Sequence, residues 1–322
     1  MGSWDLSISK ELSLVEDLIH ESINSRESLL TEIAGYVIGA GGKRVRPAVT
    51  ILSYYVVGGS DVNRAVRIAT TLELVHSATL LHDDINDGGV MRRGQPAAFK
   101  KYGLQNALVT GDFLFTKAFA IGAKFDPAIV DITAEACVRL AEGEIRQRAN
   151  ARDLSISQED YLAIIQQKTA GFFSAGAKVG ASLGGGSLEQ IAALSEYGRH
   201  LGIAFQIVDD ILDVVGDEAT LGKPIGSDVR EGNMTLLIQH ALNNGNATAK
   251  KELAGIVRAG PKSDEEVRRA LDIIASSGAV EQARTRAGGY SVRAKESLGA
   301  LGSDPRKLEL IRLADLILQR DV

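Results

Sequence analysis

Two short stretches carry three aspartates each in the same arrangement, "HDDIND" at His82–Asp87 and "VDDILD" at Val208–Asp213. On a helix, residues four apart share a face and lie about 6 Å apart along the axis. That spacing stacks Asp83 under Asp87 and Asp209 under Asp213. Like charges placed so repel, by a few tenths of a kcal/mol when exposed and by more when partly buried. A hard divalent cation relieves them. Mg²⁺ prefers oxygen ligands, keeps several waters, and is held by one or two carboxylates together with substrate phosphates. A solvated acidic face would need no apolar lead-in, yet "ATLLH" and "AFQIV" run into these clusters. Two such clusters point to helices facing each other across a central cavity, where helical bundles build metal sites.

Basic residues supply the complementary charge. Arg92 and Arg93 follow the first cluster on a glycine-bounded loop, "GGKRVRP" offers Lys43, Arg44 and Arg46, and "LGKP" offers Lys223. Guanidinium forks match phosphate oxygens in pairs, and lysine acts as a point charge. Beside metal-binding acids and on glycine turns, these residues read as phosphate clamps.

The elements that must position them are helical. Apolar residues recur at helical spacing almost throughout, for example Leu12, Val15, Ile19 and Ile23, then Val66, Ile68, Leu72, Val75 and Thr79 leading into the first acid cluster. Ser157 with Asp160 and Ser263 with Glu266 have capping-box spacing. Breakers such as "DGGVMRRGQP" and "SLGGGS" separate the periodic stretches. The expectation is one all-α domain, residues 1–322, of about ten helices.

Of the 322 residues, 45% are hydrophobic and 24% charged, which permits a large core. A net charge of -5 gives no general attraction to nucleic acid or anionic lipid, so any anion site must be local. The one cysteine, Cys137, excludes an intramolecular disulfide and a cysteine-based zinc site. It reads as a small core residue in a reducing compartment. No signal-peptide core and no membrane-length apolar run is found, and Leu6 breaks the myristoylation pattern that Gly2 begins. A soluble, cytoplasmic protein is expected.

"VIGAGGKRV" fails as a phosphate-binding P-loop, because no Ser or Thr follows Lys43 and no strand precedes it. "HDD" at His82–Asp84 could open a metal phosphohydrolase site, but His20, His76, His200 and His240 lack supporting spacing.

"GGKRVRP", "ELVHSATLLHDDINDGGVMRRGQPA", "GDFLF", "QQKTAGFF", "FQIVDDILD" and "LGKPIGSDVREGNMTL" follow one another in an order that resembles the trans-isoprenyl diphosphate synthases, or polyprenyl synthetases. The resemblance implies an isoprenoid synthase-type helical bundle around a central cavity, acting as a homodimer. It implies that isopentenyl diphosphate extends an allylic prenyl diphosphate by one isoprene unit. Three Mg²⁺ ions would be held through Asp83, Asp87 and Asp209, with Asp84, Asp210 and Asp213 in support. Arg92, Lys168 and Lys223 would hold the allylic diphosphate. Lys43, Arg46, His76 and Arg93 would hold isopentenyl diphosphate, and Thr169 with Gln206 would border the reacting carbons. The leaving diphosphate takes the proton, so no protein base is assigned.

The helix before Asp83 is also a ruler. Away from the metals its wall reads Thr79, Ala78, Val75, Leu72, with Leu72 about 16 Å from Asp83. Short-chain members of the family commonly place aromatics where this chain has the small Ala78 and Thr79. A product of geranylgeranyl length or longer is implied, with hexaprenyl to octaprenyl favoured and Leu72, Phe115 and Phe119 as candidates for the floor.

Two departures stand out. Asn233 occupies the place of a family lysine, with Arg230 as a candidate substitute. Gly88 and Gly89 follow Asp87 where acids or serine are common, implying a more mobile loop before Arg92. Rival functions are a class I terpene cyclase, which needs no second prenyl site, and a non-catalytic subunit of a heteromeric synthase, in which lost aspartates would be expected.

Overall fold

A computed structural model describes residues 7–222 and 224–319, without the side chains of Ala219 and Thr220. Its secondary structure is all-α apart from one two-stranded ribbon among the described residues. The expectation of about ten helices is low: seventeen α-helical segments are present among the described residues, several of only four or five residues. Glycine and polar turns cut periodic stretches more often than hydrophobic spacing reveals. Both capping boxes form, with the Ser157 and Ser263 hydroxyls accepting from the amides of Asp160 and Glu266 and each carboxylate reaching back to its serine amide.

The chain divides into two compact units. One takes in the chain up to Glu135 with Phe173–Ser195 and Leu298–Leu310; the other has Ala136–Phe172, Glu196–Ser297 and the chain from Ile311.

In the first unit the helix Val62–Asp87 is central, packed by Leu104–Gly122, Ser9–Ser22 and Val45–Val56. Asp61 caps its start by accepting from Asn63 and Arg64 amides, and Gly88 ends it in the left-handed conformation, directly after Asp87. Ile68, Leu72, Leu74 and Leu81 are almost wholly buried, as a helix surrounded on all sides requires.

Glycine permits the close packing behind the basic loop. Gly176, Gly180 and Gly184, spaced four apart, lie along Val45–Val56, and a Cβ on Gly180 would meet the Thr50 carbonyl oxygen at 2.2 Å. Gly180→Ala must therefore separate two backbones, and a loss of roughly 1–3 kcal/mol is expected. Gly289→Ala, at an exposed position of helix Ala279–Ser297 with nothing within 4 Å of the added Cβ, should instead gain about 1 kcal/mol. Paired thermal melts check both signs.

The second unit's core gathers Ile207, Ile211, Leu237, Val257, Ile274 and Ala283 from successive helices. The helix Leu236–Asn244, capped by Thr235, packs against Ala247–Arg258, Asp264–Ser276, Ala279–Ser297 and Gln158–Ile165. Between Gln158–Ile165 and Gly171–Leu183 the backbone widens into a π turn, Gln166–Ala170, which contains Lys168 and Thr169. Such turns interrupt the regular helical ladder and recur at functional sites.

Candidate active site

In the first unit, Asp83, Asp84 and Asp87 occupy the last turns of Val62–Asp87. Asp84 is buried, Asp83 half-buried and Asp87 exposed. Arg92 Nε donates to Asp84 Oδ1 at 2.5 Å, so the middle aspartate is turned to a guanidinium while its neighbours four apart remain on another face.

The stretch read as a plain loop is a small hairpin. Met91 pairs with Pro96 and Arg92 with Gln95, leaving Arg93 and Gly94 at the turn, both with positive φ, +50° and +77°. That is the primed turn which matches strand twist. Glycine takes this conformation freely, whereas for Arg93 it costs roughly 1–2 kcal/mol. The Tyr36 hydroxyl donates to the Pro96 carbonyl at 2.7 Å and fastens the hairpin from the side.

Arg93 thereby meets the "GGKRVRP" loop: a Cβ on Gly42 would lie 3.2 Å and 3.3 Å from its two terminal nitrogens and 3.4 Å from Arg44 Nη1. Lys43 is exposed on that loop. Arg44 turns inward, pairing with Glu16 and with Glu73 at 2.7 Å; burial alone would lower its pKa, but these carboxylates raise it. It is a structural cation. Arg46 instead lies over the Phe173 ring, 4.8 Å from its centre, and its Nη1 is 3.2 Å from His76 Nε2. Burial, then the charges of Arg46, Arg93, Arg92 and Arg44, hold the His76 pKa well below the ordinary value. His76 is thus a neutral imidazole whose Nε2 accepts from Arg46. Burial and Arg92 also lower the Arg93 pKa. Guanidinium groups concentrated in this way favour a bound polyanion, which would offset their mutual repulsion.

His82 serves packing. Its ring stacks on Phe115 at 6.0 Å and lies where a Cβ on Gly111 of "GDFLF" would come within 2.2 Å of Nε2. The wall residues Leu72, Val75, Ala78 and Thr79 are all buried, and the Thr79 hydroxyl donates to the His76 carbonyl at 2.8 Å. Phe119 is 54% exposed, which removes it as a floor.

In the second unit, Asp209, Asp210 and Asp213 lie on the helix Leu188–Val215. Asp210 Oδ2 accepts from Tyr161 Oη at 2.6 Å and Oδ1 from Gln206 Nε2 at 2.9 Å; Gln206 Oε1 accepts from Thr169 Oγ1 at 2.7 Å. Asp213 accepts from the Ser227 hydroxyl and from the Ser227 and Asp228 amides, anchoring the short helix Ser227–Glu231. Protein donors thus occupy both oxygens of Asp210 and both oxygens of Asp213. Burial raises the pKa of Asp210 and of Asp228, and neighbouring aspartates add to both shifts.

Lys168 Nζ is 2.7 Å from Glu144, brought close because Gly143 packs on the Lys168 backbone. Lys223 lies outside the described residues. Asn233 donates to Asp228 and Glu231 at 3.2 Å and 2.7 Å. Arg230, the candidate substitute for that lysine, pairs its guanidinium with Asp264 at 2.8 Å. Sequence reading missed Tyr161, Glu144, Asp228 and Tyr36; Tyr161 had a usable signal, a phenol in the capped helix that leads into "QQKTA".

One titration bears on stability. Burial and the Arg199 charge push His200 down to about 4, against the opposing pull of Glu196. The unfolded chain therefore binds more protons than the folded one below about pH 6.5, and stability falls as pH drops from there toward 4. His200→Gln should flatten that limb, seen as a smaller loss of Tm between pH 7 and pH 5.

A family model described as polyprenyl synthetase matches residues 27–274. The chain belongs to the polyprenyl synthetase family. It is 38% identical to a short chain isoprenyl diphosphate synthase of Methanothermobacter thermautotrophicus, covering 98% of each chain. To the octaprenyl diphosphate synthase of Escherichia coli it is 34% identical over 97% of each. A crystal structure of polyprenyl synthase from Caulobacter crescentus, complexed with calcium and isoprenyl diphosphate, superposes with a TM-score of 0.93 at 35% identity, covering 98% of this chain and 96% of that one. Like these polyprenyl synthetases, the chain is a prenyltransferase of all-α fold. Among the described residues no helix is long and apolar enough to cross a membrane.

Proposed function

We propose that this prenyltransferase condenses isopentenyl diphosphate with an allylic diphosphate to give an all-trans polyprenyl diphosphate of geranylgeranyl length or longer, hexaprenyl to octaprenyl favoured. The observation that carries it is the first unit's grouping of Asp83 and Asp87 with the arginine hairpin and the "GGKRVRP" loop. This is a place for two phosphorylated substrates rather than one. In the reaction the allylic C–O bond breaks, the isopentenyl double bond attacks the allylic cation to form a C–C bond, and a proton is lost to the departing diphosphate.

The donor set fits a hard divalent cation. Among the described residues no three His, Cys, Asp or Glu side chains gather into a complete metal cage. Carboxylates four apart on one helix suit an ion that completes its shell with water and phosphate oxygens. Asp83, Asp87 and Asp209 would hold Mg²⁺, three ions in this reading. Bound there, the metal supplies charge neutralisation to the departing diphosphate. Arg92, fixed by Asp84, Lys168 and Lys223 bind the allylic diphosphate; Lys43, Arg46 and Arg93 bind isopentenyl diphosphate, with neutral His76 orienting Arg46. Thr169 and Gln206 border the reacting carbons.

The same reading keeps residues 1–322 as one catalytic domain, in the cytoplasm. A homodimer is supported by Leu104, Leu108 and Phe119, exposed on one face of Leu104–Gly122 at 50%, 43% and 54%.

Incubation with isopentenyl diphosphate, an allylic primer and magnesium tests the assignment. Elongated diphosphates are expected. A cyclic hydrocarbon would favour a terpene cyclase, phosphate release a hydrolase, and product only on adding a partner chain a regulatory subunit.

A further inference from the structure

The chain of hydrogen bonds in the second unit has a direction. The Gln206 amide turns its nitrogen to Asp210 Oδ1 and its oxygen to the Thr169 hydroxyl, which can only donate to it. The Thr169 hydroxyl is then committed as a donor to Gln206, and its oxygen is left electron-rich toward anything else. Asp210 is 4% exposed, and its other oxygen is held at 2.6 Å by the phenol of Tyr161, itself 5% exposed. Tyr161 is the first buried side chain of Gln158–Ile165, the helix that runs into the π turn carrying Lys168 and Thr169. Both ends of the hydrogen-bonded chain thus rise from one continuous segment, Tyr161 to Thr169, with Gln206 and Asp210 of Leu188–Val215 between them.

We propose that Tyr161 is a positioning residue for prenyl transfer. By occupying one oxygen of Asp210 it keeps that carboxylate facing Gln206, which in turn sets the polarity of the Thr169 hydroxyl. Asp210 acts through this chain and not as a metal ligand. The phenol touches no substrate, so its effect is on turnover rather than on binding.

The inference rests on the prenyl-transfer reading, and its test separates the two. In the full-length enzyme, Tyr161→Phe should lower kcat about tenfold, the consequence of removing one buried hydrogen bond. KM for both diphosphates should stay within about twofold, and the half-saturating magnesium concentration should not move. If Tyr161 works through Gln206, then in a Gln206→Met background Tyr161→Phe causes no further loss of kcat. Independent multiplication of the two losses, or a shift in magnesium dependence on Tyr161→Phe, would overturn the proposal. A second readout needs no turnover. In substrate-free, ¹⁵N-glutamine-labelled protein, the side-chain amide resonances of Gln206, assigned by their loss in Gln206→Met, should shift on Tyr161→Phe. Unmoved resonances would refute the positioning role. Shifted resonances in an enzyme that elongates no substrate would leave that role standing and remove the functional reading instead.

Discussion

Asp83→Ala is expected to lower kcat by a hundredfold to a thousandfold, on the order of what removing one preorganised electrostatic contact to a developing charge costs. The fold should survive, because the helix Val62–Asp87 is held by the packing of its many buried apolar residues. Asp209→Ala should behave alike in kcat, whereas Asp213→Ala should also lower Tm, because Asp213 anchors Ser227–Glu231. Turnover of Asp83→Ala near wild type under saturating magnesium would reject the metal assignment. The checks are steady-state kinetics beside thermal melts.

The second large effect is on product length. Ala78 is wholly buried, and Thr79, with its hydroxyl tied to the His76 carbonyl, offers its methyl to its surroundings. If this face lines the growing chain, the ring of Ala78→Phe fills space meant for the prenyl tail. The product then shortens toward farnesyl diphosphate with little change in Tm. If Ala78 is ordinary core, the ring has no room, and overpacking costs roughly 1–3 kcal/mol while the product stays the same. Chromatography of the dephosphorylated products, read beside the melt, distinguishes the two.

Much of the site could be read from residue types because its chemistry needs them at fixed helical spacing. Asp83 and Asp87 are four apart whatever surrounds them, and the capping boxes at Ser157 and Ser263 are local enough to form as written. What escaped reading was set by non-local packing or by backbone geometry without a period. A two-residue strand leaves no alternation, so the arginine hairpin looked like a loop, and an arginine at a primed turn gives no glycine pair to announce it. Nothing in "GGKRVRP" says that Arg44 faces Glu16 and Glu73 while Arg46 faces His76. Likewise the two "DDxxD" stretches look equivalent as text, yet Asp84 is held by an arginine and Asp210 by a phenol and an amide. Of these three partners only Tyr161 lies far along the chain, and two that lie near, Arg92 and Gln206, differ in chemistry. The floor residue Phe119 failed because periodicity marks which residues are apolar and not which of a helix's faces is covered.

The most direct measurement of the central claim is stoichiometric. Diphosphate released and isopentenyl units incorporated are counted in the same reaction, with and without magnesium. Elongation predicts one diphosphate per new isoprene unit, and neither when the metal is chelated. Diphosphate released from the allylic substrate without incorporation of isopentenyl units, or incorporation that persists in chelator, would contradict it.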